Sequence, residues 1–301
     1  MKIGIALPHL GQETTPAFLV RMAQEAEHLG YASLWAGERL LRPQHDVPFG
    51  SPSGPMPDYF KSSYDPLETL SYVAAVTQRI KLGSSVIVPA FHTPVILARR
   101  FSTLDHFSGG RVLAGLGQGW LPDEFAAANV PFARRGDRLS DFVGALRACW
   151  GPDPVRYTGR FYSIVESDIG PKPVQPGGPP LLFGAVTPAA LRRAARLADG
   201  LNPIAHDWRL LEWMLPAYFA LVHEAGRDPA KMMIVVRSNH PVSLTGPLPE
   251  PRPPLCGSLE QIREDVLRLA DLGVQHLFFD LVSLPLNQQL ALLPRLRRVA
   301  H

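Results

Sequence analysis

The sequence predicts an α/β fold, a (β/α)8 TIM barrel carrying an insertion before the fifth strand, with residues 1–301 as one domain. Three observations carry this expectation. Short apolar runs alternate with longer amphipathic ones along nearly the whole chain. That alternation specifies a parallel sheet, and eight strand–helix units close on themselves. The length of 301 residues suits one barrel, a fold that commonly uses ~250 residues or more. Finally, Pro8-His9-Leu10-Gly11-Gln12 follows the first strand, where a doubly wound sheet would carry a glycine-rich phosphate fingerprint.

The elements can be justified in order. Lys2 to Leu7 reads as a strand ending at Pro8. Phe18, Met22, Ala26 and Leu29 recur at helical spacing over residues 16–29, and Gly30 offers the left-handed φ of a helix end. Tyr31 to Trp35 is the second strand, followed by a long Pro/Gly-rich loop from Glu38 to about Tyr64. Asp65-Pro66 and Thr93-Pro94 each open a helix with a capping side chain and a proline at the first helical position. Between them Ile80 to Pro89, rich in β-branched residues, is the third strand; Arg111 to Gly115 is the fourth. A helix over residues 138–150 precedes a lapse in the alternation from Gly151 to Pro180. There Val155 to Tyr157 and Phe161 to Ser163 flank Thr158-Gly159-Arg160, the signature of a small hairpin. The pattern resumes with strands at Leu181–Phe183, Leu201–Ile204, Met232–Arg237 and Val274–Asp280, and helices over 188–198, 208–225, 259–272 and 288–299.

Composition excludes several classes. Apolar residues make up 46% and charged residues 19%, and the net charge is only +3, as in a soluble enzyme without a nucleic-acid surface. Arg192, Arg193 and Arg196 read as one solvated helix face, although a local anion pocket stays open. Cys149 and Cys256, the two cysteines, have neither metal-ligand spacing nor the number for a disulfide framework. No leader is apparent and no apolar run approaches the ~20 residues that span a bilayer, so the expectation is a cytoplasmic protein without membrane contact.

A barrel places its chemistry at the C-terminal ends of the strands. The candidates are therefore His9, Glu38 and Arg39, Ser85 to Pro89, Gln118 to Trp120, Gly184 to Thr187, Asn202, His206, Ser238 to His240, and Asp280. Thr187-Pro188 starts a helix behind the small residues Gly184 and Ala185, a ready seat for an anion, or simply an ordinary helix start. The run Gly115 to Trp120 (GLGQGW) reads as backbone left bare for a flat ligand or as a plain turn. No G-x-S-x-G, H-E-x-x-H or P-loop occurs, and the histidines are scattered, so no metal is expected. A barrel with few conventional acid/base groups suits a cofactor that brings its own reactivity.

Several segments together resemble the luciferase-like monooxygenases. They are Gly83 to Pro89 (GSSVIVP), His92-Thr93-Pro94, Leu104 to Arg111 (LDHFSGGR), Gly115 to Trp120, Asp123-Glu124-Phe125, Pro171 to Gln175 (PKPVQ), Ala198-Asp199-Gly200 and Gly226 to Pro229 (GRDP). Their order and spacing hold over nearly the whole chain, and the flavour is that of the F420-dependent oxidoreductases. The resemblance implies a barrel with an insertion before its fifth strand, a homodimer, and coenzyme F420 or, alternatively, FMN at the mouth. It implies a non-prolyl cis peptide at Ser85-Val86, with Ser85, Val86, Val88, Gln118, Gly119 and Asp123 lining the cofactor and Gly184, Ala185 and Thr187 holding its phosphate. Glu38, Arg39 and His9 are the candidate catalytic residues.

One departure bears on substrate. Sugar-phosphate and alcohol dehydrogenases of this kind carry a histidine where Arg39 stands and a glutamate where Trp120 stands. Reduction of an activated C=C or C=N bond is therefore favoured, with Arg39 steadying developing negative charge. The alternatives are an FMN-dependent monooxygenase and a non-catalytic flavin-binding protein. The loop from Arg42 to Lys61, with Phe49, Met56, Tyr59 and Phe60, reads as a cover over the mouth and favours a hydrophobic small-molecule substrate.

Overall fold

A computed structural model describes residues 1–48, 54–239 and 246–300. Eight parallel strands close into a barrel: β1 (Lys2–Ala6), β2 (Ser33–Ala36), β3 (Lys81–Ser84), β4 (Val112–Leu116), β7 (Leu181–Phe183), β8 (Gly200–Leu201), β9 (Met233–Ser238) and β10 (His276–Phe279). The ring runs in chain order and closes where β10 pairs with β1, Lys2 opposite His276 and Ile5 opposite Phe279. Between β4 and β7 lies the antiparallel hairpin β5 (Val155–Thr158) and β6 (Ser163–Ser167). Its second strand begins two residues later than the sequence suggests. Asp141 accepts the N–H groups of Phe161 (2.5 Å) and Tyr162 (3.1 Å), which keeps them in the turn.

The helices are α1 (Pro16–His28), α2 (Pro66–Ala74), α3 (Pro94–Ser108), α4 (Pro122–Ala127), α5 (Arg135–Trp150), α6 (Pro188–Leu197), α7 (Trp208–Glu224), α8 (Leu259–Asp271) and α9 (Leu286–Arg297). Helix α4, six residues long and opened by Pro122, is too short to show a helical period and had no signal of its own. Helix α5 starts three residues before the expected boundary. Strand β3 is shorter than expected: the Ser85–Val86 peptide is cis, the ladder breaks there, and Ile87 rejoins it opposite Leu116. No helix among the described residues is long and apolar enough to cross a membrane.

The main core lies between the helices and the outer face of the barrel, where residues such as Met22, Phe101, Phe142 and Tyr218 are fully enclosed. A second, smaller cluster fills the barrel: Ala6, Trp35, Leu113, Leu182, Val235 and Phe278. Trp35 stacks on Phe278 with ring centroids 4.7 Å apart. Gly83 makes this possible, since a methyl group there would overlap the Trp35 ring.

Two of the motif residues turn out to hold elements together. Arg111 spends its guanidinium on the Ser108 carbonyl, the Thr77 hydroxyl and the carbonyls of Ile80, Ala74 and Thr77, closing the end of α2 against β4. Asp105 accepts from the backbone and the side-chain amide of Gln175 (2.9 and 2.8 Å), tying the chain entering β7 to α3.

Candidate active site

The strand ends bring together a set of ionisable side chains, nearly all engaged with one another. At the end of β2, the Glu38 side chain is buried, 4% exposed. Val88 N–H donates to one carboxylate oxygen (2.7 Å), and His92 Nε2 lies 2.7 Å from the other. Arg39 donates from Nη1 to Glu124 Oε2 (2.9 Å), and Leu40 N–H donates to Oε1 (2.8 Å). The Arg39 guanidinium also lies between the rings of Phe60 (5.1 Å) and Trp120 (5.4 Å), an arrangement that favours a partly desolvated cation. Burial lowers the Arg39 pKa and raises that of Glu124, each opposed by the attraction of its partner.

His9, past the end of β1, is buried. Its Nδ1 lies 2.9 Å from the Leu7 carbonyl, and its Nε2 lies 2.9 Å from the Gly37 carbonyl and 3.0 Å from the Gly37 backbone nitrogen. Burial holds the ring below its usual pKa and hence neutral. Both ring nitrogens are thus engaged with backbone, and His9 ties the ends of β1 and β2 together.

The third strand end is gripped from three directions. Ser85 Oγ donates to Asn202 Oδ1 (2.6 Å), and Asn202 in turn donates to the Val235 carbonyl (2.8 Å). Arg237, on β9, donates to the Ser85 carbonyl (3.0 Å) and to Asp280 Oδ2 (2.5 Å). Val86 projects between the ends of β4 and β7: a methyl group on Gly117 would overlap it, and one on Gly184 would come within 3.5 Å. Gly119 has φ +71°, and a Cβ there would sit 2.7 Å from the Phe125 ring and 3.0 Å from Val88. At Gly117 and Gly119 the space a side chain would take is therefore filled by the protein's own packing.

The other expected cofactor contacts divide. Gln118 stands half-buried beside Gly119 at the mouth. Asp123 points to the periphery, 2.8 Å from His45 Nε2, while its neighbour Glu124 is the buried carboxylate. Thr187 caps α6 by accepting from Ala190 N–H (3.3 Å). Ala185 is buried, Gly184 is half-buried, and Val186 and Thr187 are exposed. Pro188 has no N–H, and Leu191 N–H bonds to the Thr187 carbonyl (2.9 Å), which leaves the Ala189 N–H as the one in the first turn without a partner within the helix.

Tyr59 and Phe60, rings 4.5 Å apart, reach over the mouth from the long loop, and Met56 packs below them with Val47 and Leu121. Burial and then the charge of Asp280 raise the Tyr59 phenol, which keeps its proton at neutral pH. Phe49 and His240 lie outside the described residues. Sequence reasoning missed the roles of Glu124, Arg237 and His92. Glu124 and His92 stood inside quoted motifs, and Arg237 was one residue short of the strand-end set. Among the described residues no group of three His, Cys, Asp or Glu side chains could hold a metal ion.

The family model for luciferase-like monooxygenases matches residues 1–244. The chain belongs to that family. A relative, the F420-dependent glucose-6-phosphate dehydrogenase of Amycolatopsis mediterranei, is 31% identical over 62% of this chain and 52% of its own length. Two solved structures share the fold. An F420-dependent secondary alcohol dehydrogenase in complex with an F420–acetone adduct superposes with a TM-score of 0.82 over 100% of this chain and 99% of its own, at 18% identity. The monooxygenase RslO1 from Streptomyces bottropensis gives 0.80 over 99% and 97%, at 23% identity.

Proposed function

We propose that this family member is an F420-dependent oxidoreductase that exchanges hydride with a small organic molecule, in the direction of reducing an activated C=C or C=N bond. The observation that carries the reading is the engagement of the mouth's charged groups: Glu38 with His92 and Val88, Arg39 with Glu124, Arg237 with Asp280, and His9 with backbone. No side chain in this set stands as an unengaged nucleophile or general base. Such a site orients and polarises, and leaves the reactivity to a bound cofactor. F420-dependent dehydrogenases among the relatives support the choice of cofactor.

The residues present fit such a group. The start of α6 behind Gly184 and Ala185 offers the Ala189 N–H and a helix dipole to a phosphate. Val86, Val88 and Gly119 offer an apolar wall to a flat ring, with Ser85 and Gln118 beside it. When bound, the deazaflavin supplies hydride and does not activate oxygen. The chain's own part is to exclude water beneath Tyr59 and Phe60 and to present the Arg39 guanidinium to developing negative charge. Glu124 holds that guanidinium in place. A homodimer and a hydrophobic substrate belong to the same reading.

The family's description as luciferase-like monooxygenase supports a second reading, a monooxygenase that would take FMN as its cofactor. Titration of the purified protein with coenzyme F420 and with FMN, followed by fluorescence, separates the two. Preference for F420, together with turnover of enones or imines by its reduced form, is the expected result. Preference for FMN with oxygen uptake would replace the first reading by the second, and binding of neither would end both.

A further inference from the structure

Reduction of a C=C or C=N bond adds hydride to one atom and a proton to its neighbour, so an acid has to stand at the mouth. The charged groups there are committed elsewhere. Glu38 accepts from Val88 N–H and lies against His92, Glu124 accepts from Arg39 and Leu40 N–H, and Asp280 accepts from Arg237 and from Val282 N–H (3.0 Å). A carboxylate that only accepts has no proton to give, and a guanidinium does not release one. Both nitrogens of His9 are engaged with backbone. Tyr59 differs from all of these. Its hydroxyl makes no hydrogen bond among the described residues, and it keeps its proton at neutral pH.

The segment that carries Tyr59 is fastened on two sides. Gly11 N–H donates to the Ser62 carbonyl and Tyr64 N–H to the His9 carbonyl (both 2.9 Å), joining the segment to the end of β1. Arg42 donates to the carbonyls of Met56 (2.9 Å) and Pro57 (3.3 Å), and the exposed Asp58 accepts from Arg42 (3.1 Å) and Lys61 (2.8 Å). Between these ties the Tyr59 Cβ lies 4.0 Å from the point where a side chain on Gly11 would begin. The Tyr59 ring packs on Phe60, itself 5.1 Å from the Arg39 guanidinium. The hydroxyl feels the charges of Asp280, Arg237 and Arg39, which come from the ends of β10, β9 and β2. Those strands lie to either side of β1 in the ring, so the half-buried phenol stands over the mouth.

We propose that Tyr59 is the proton donor of the reaction. This rests on the proposed function, hydride transfer to a C=C or C=N bond. As hydride reaches one atom of that bond, the π pair moves to the neighbouring atom. The Tyr59 O–H bond breaks, its proton joins that atom, and the bonding pair stays on the phenolate oxygen. Water then returns a proton from the open side of the ring. The substrate gains two electrons and two hydrogens, one as hydride from the reduced cofactor and one as the proton of the phenol. Asp280 favours the phenol before the transfer, and Arg237 and Arg39 steady the phenolate after it.

Tyr59→Phe keeps the ring and removes only the donor. With reduced F420 and cyclohexenone as the probe, kcat should fall at least about a hundredfold, the lower end of what a positioned acid contributes. F420 binding, followed by fluorescence, should stay unchanged. Replacing Tyr59 by an ortho-difluorinated tyrosine, a stronger acid of nearly the same size, should move the alkaline fall in kcat to lower pH, because only the protonated phenol donates. In the cofactor-free protein the phenolate absorbance of that residue reports the same group directly. It should ionise at higher pH than the free amino acid, because burial and Asp280 both hold the proton on. Ionisation like that of the free amino acid would place the hydroxyl in open solvent and overturn the proposal, as would an alkaline limb indifferent to fluorination. Loss of F420 binding together with turnover in Tyr59→Phe marks a packing role and overturns it too. Equal turnover by wild type and Tyr59→Phe removes the proton-donor role alone, whereas a wild type that does not bind F420 or reduce the enone ends the proposed function and this role with it.

Discussion

Acid should loosen the barrel from inside, through His276. This side chain is 5% exposed in the barrel wall. Trp35 Nε1–H donates to Ser33 Oγ (2.6 Å), and the same hydroxyl lies 2.7 Å from His276 Nε2. Burial, with a smaller contribution from the Lys2 charge, pushes the imidazole pKa down from 6.5 to about 3. In the unfolded chain His276 takes its proton near pH 6.5; in the folded protein it resists until about pH 3. The unfolded state therefore binds more protons in this window, and stability falls as pH falls. The slope is about 1.4 kcal/mol per pH unit, or about 2 kcal/mol between pH 6.5 and 5. Urea unfolding at pH 7, 6 and 5, for wild type and His276→Gln, measures it. The variant starts less stable, but its stability should decline less steeply with pH by that slope. Parallel declines would refute the reasoning, because other titrating groups are common to both proteins.

Two substitutions probe the mouth. Gly117→Ala should destabilise by about 1–3 kcal/mol, the cost of overpacking against Val86; adding Val86→Ala should recover most of it, and thermal unfolding of the single and double variants checks the coupling. Arg39→Gln, which removes the cation but keeps a side chain that can reach Glu124, should lower kcat at least about tenfold if the guanidinium meets charge developing in the transition state; an unchanged kcat removes that role.

The barrel was legible in the sequence because its signals are local and repeated. Strand β4 is an unbroken apolar run, α1 shows its period, and Asp65-Pro66 and Thr187-Pro188 mark helix starts with their own side chains. Boundaries failed where distant groups decided them. The ladder of β3 stops at the cis Ser85–Val86 peptide that the resemblance implied, where Arg237 and Asn202 bond Ser85 from across the barrel. The hairpin register depends on the Asp141 carboxylate. At the site, strand-end position was enough to bring out Glu38 and Arg39. It could not reveal that Arg39 is held by Glu124, 85 positions later, or that Asp123 and Glu124, adjacent in sequence, face opposite ways. Pairing across a barrel is set by closure, which leaves no spacing in the sequence.

The stack of Trp35 on Phe278 has a consequence for how this molecule can change. With Leu113, Leu182 and Val235 it forms a plug across the barrel interior, so the lower half is walled off from whatever enters above. Substitutions in the βα loops can then reshape the chamber over the plug without disturbing the closure of the strands beneath it. Retooling for a new substrate and preserving the scaffold become separable problems, divided at the level of one indole ring.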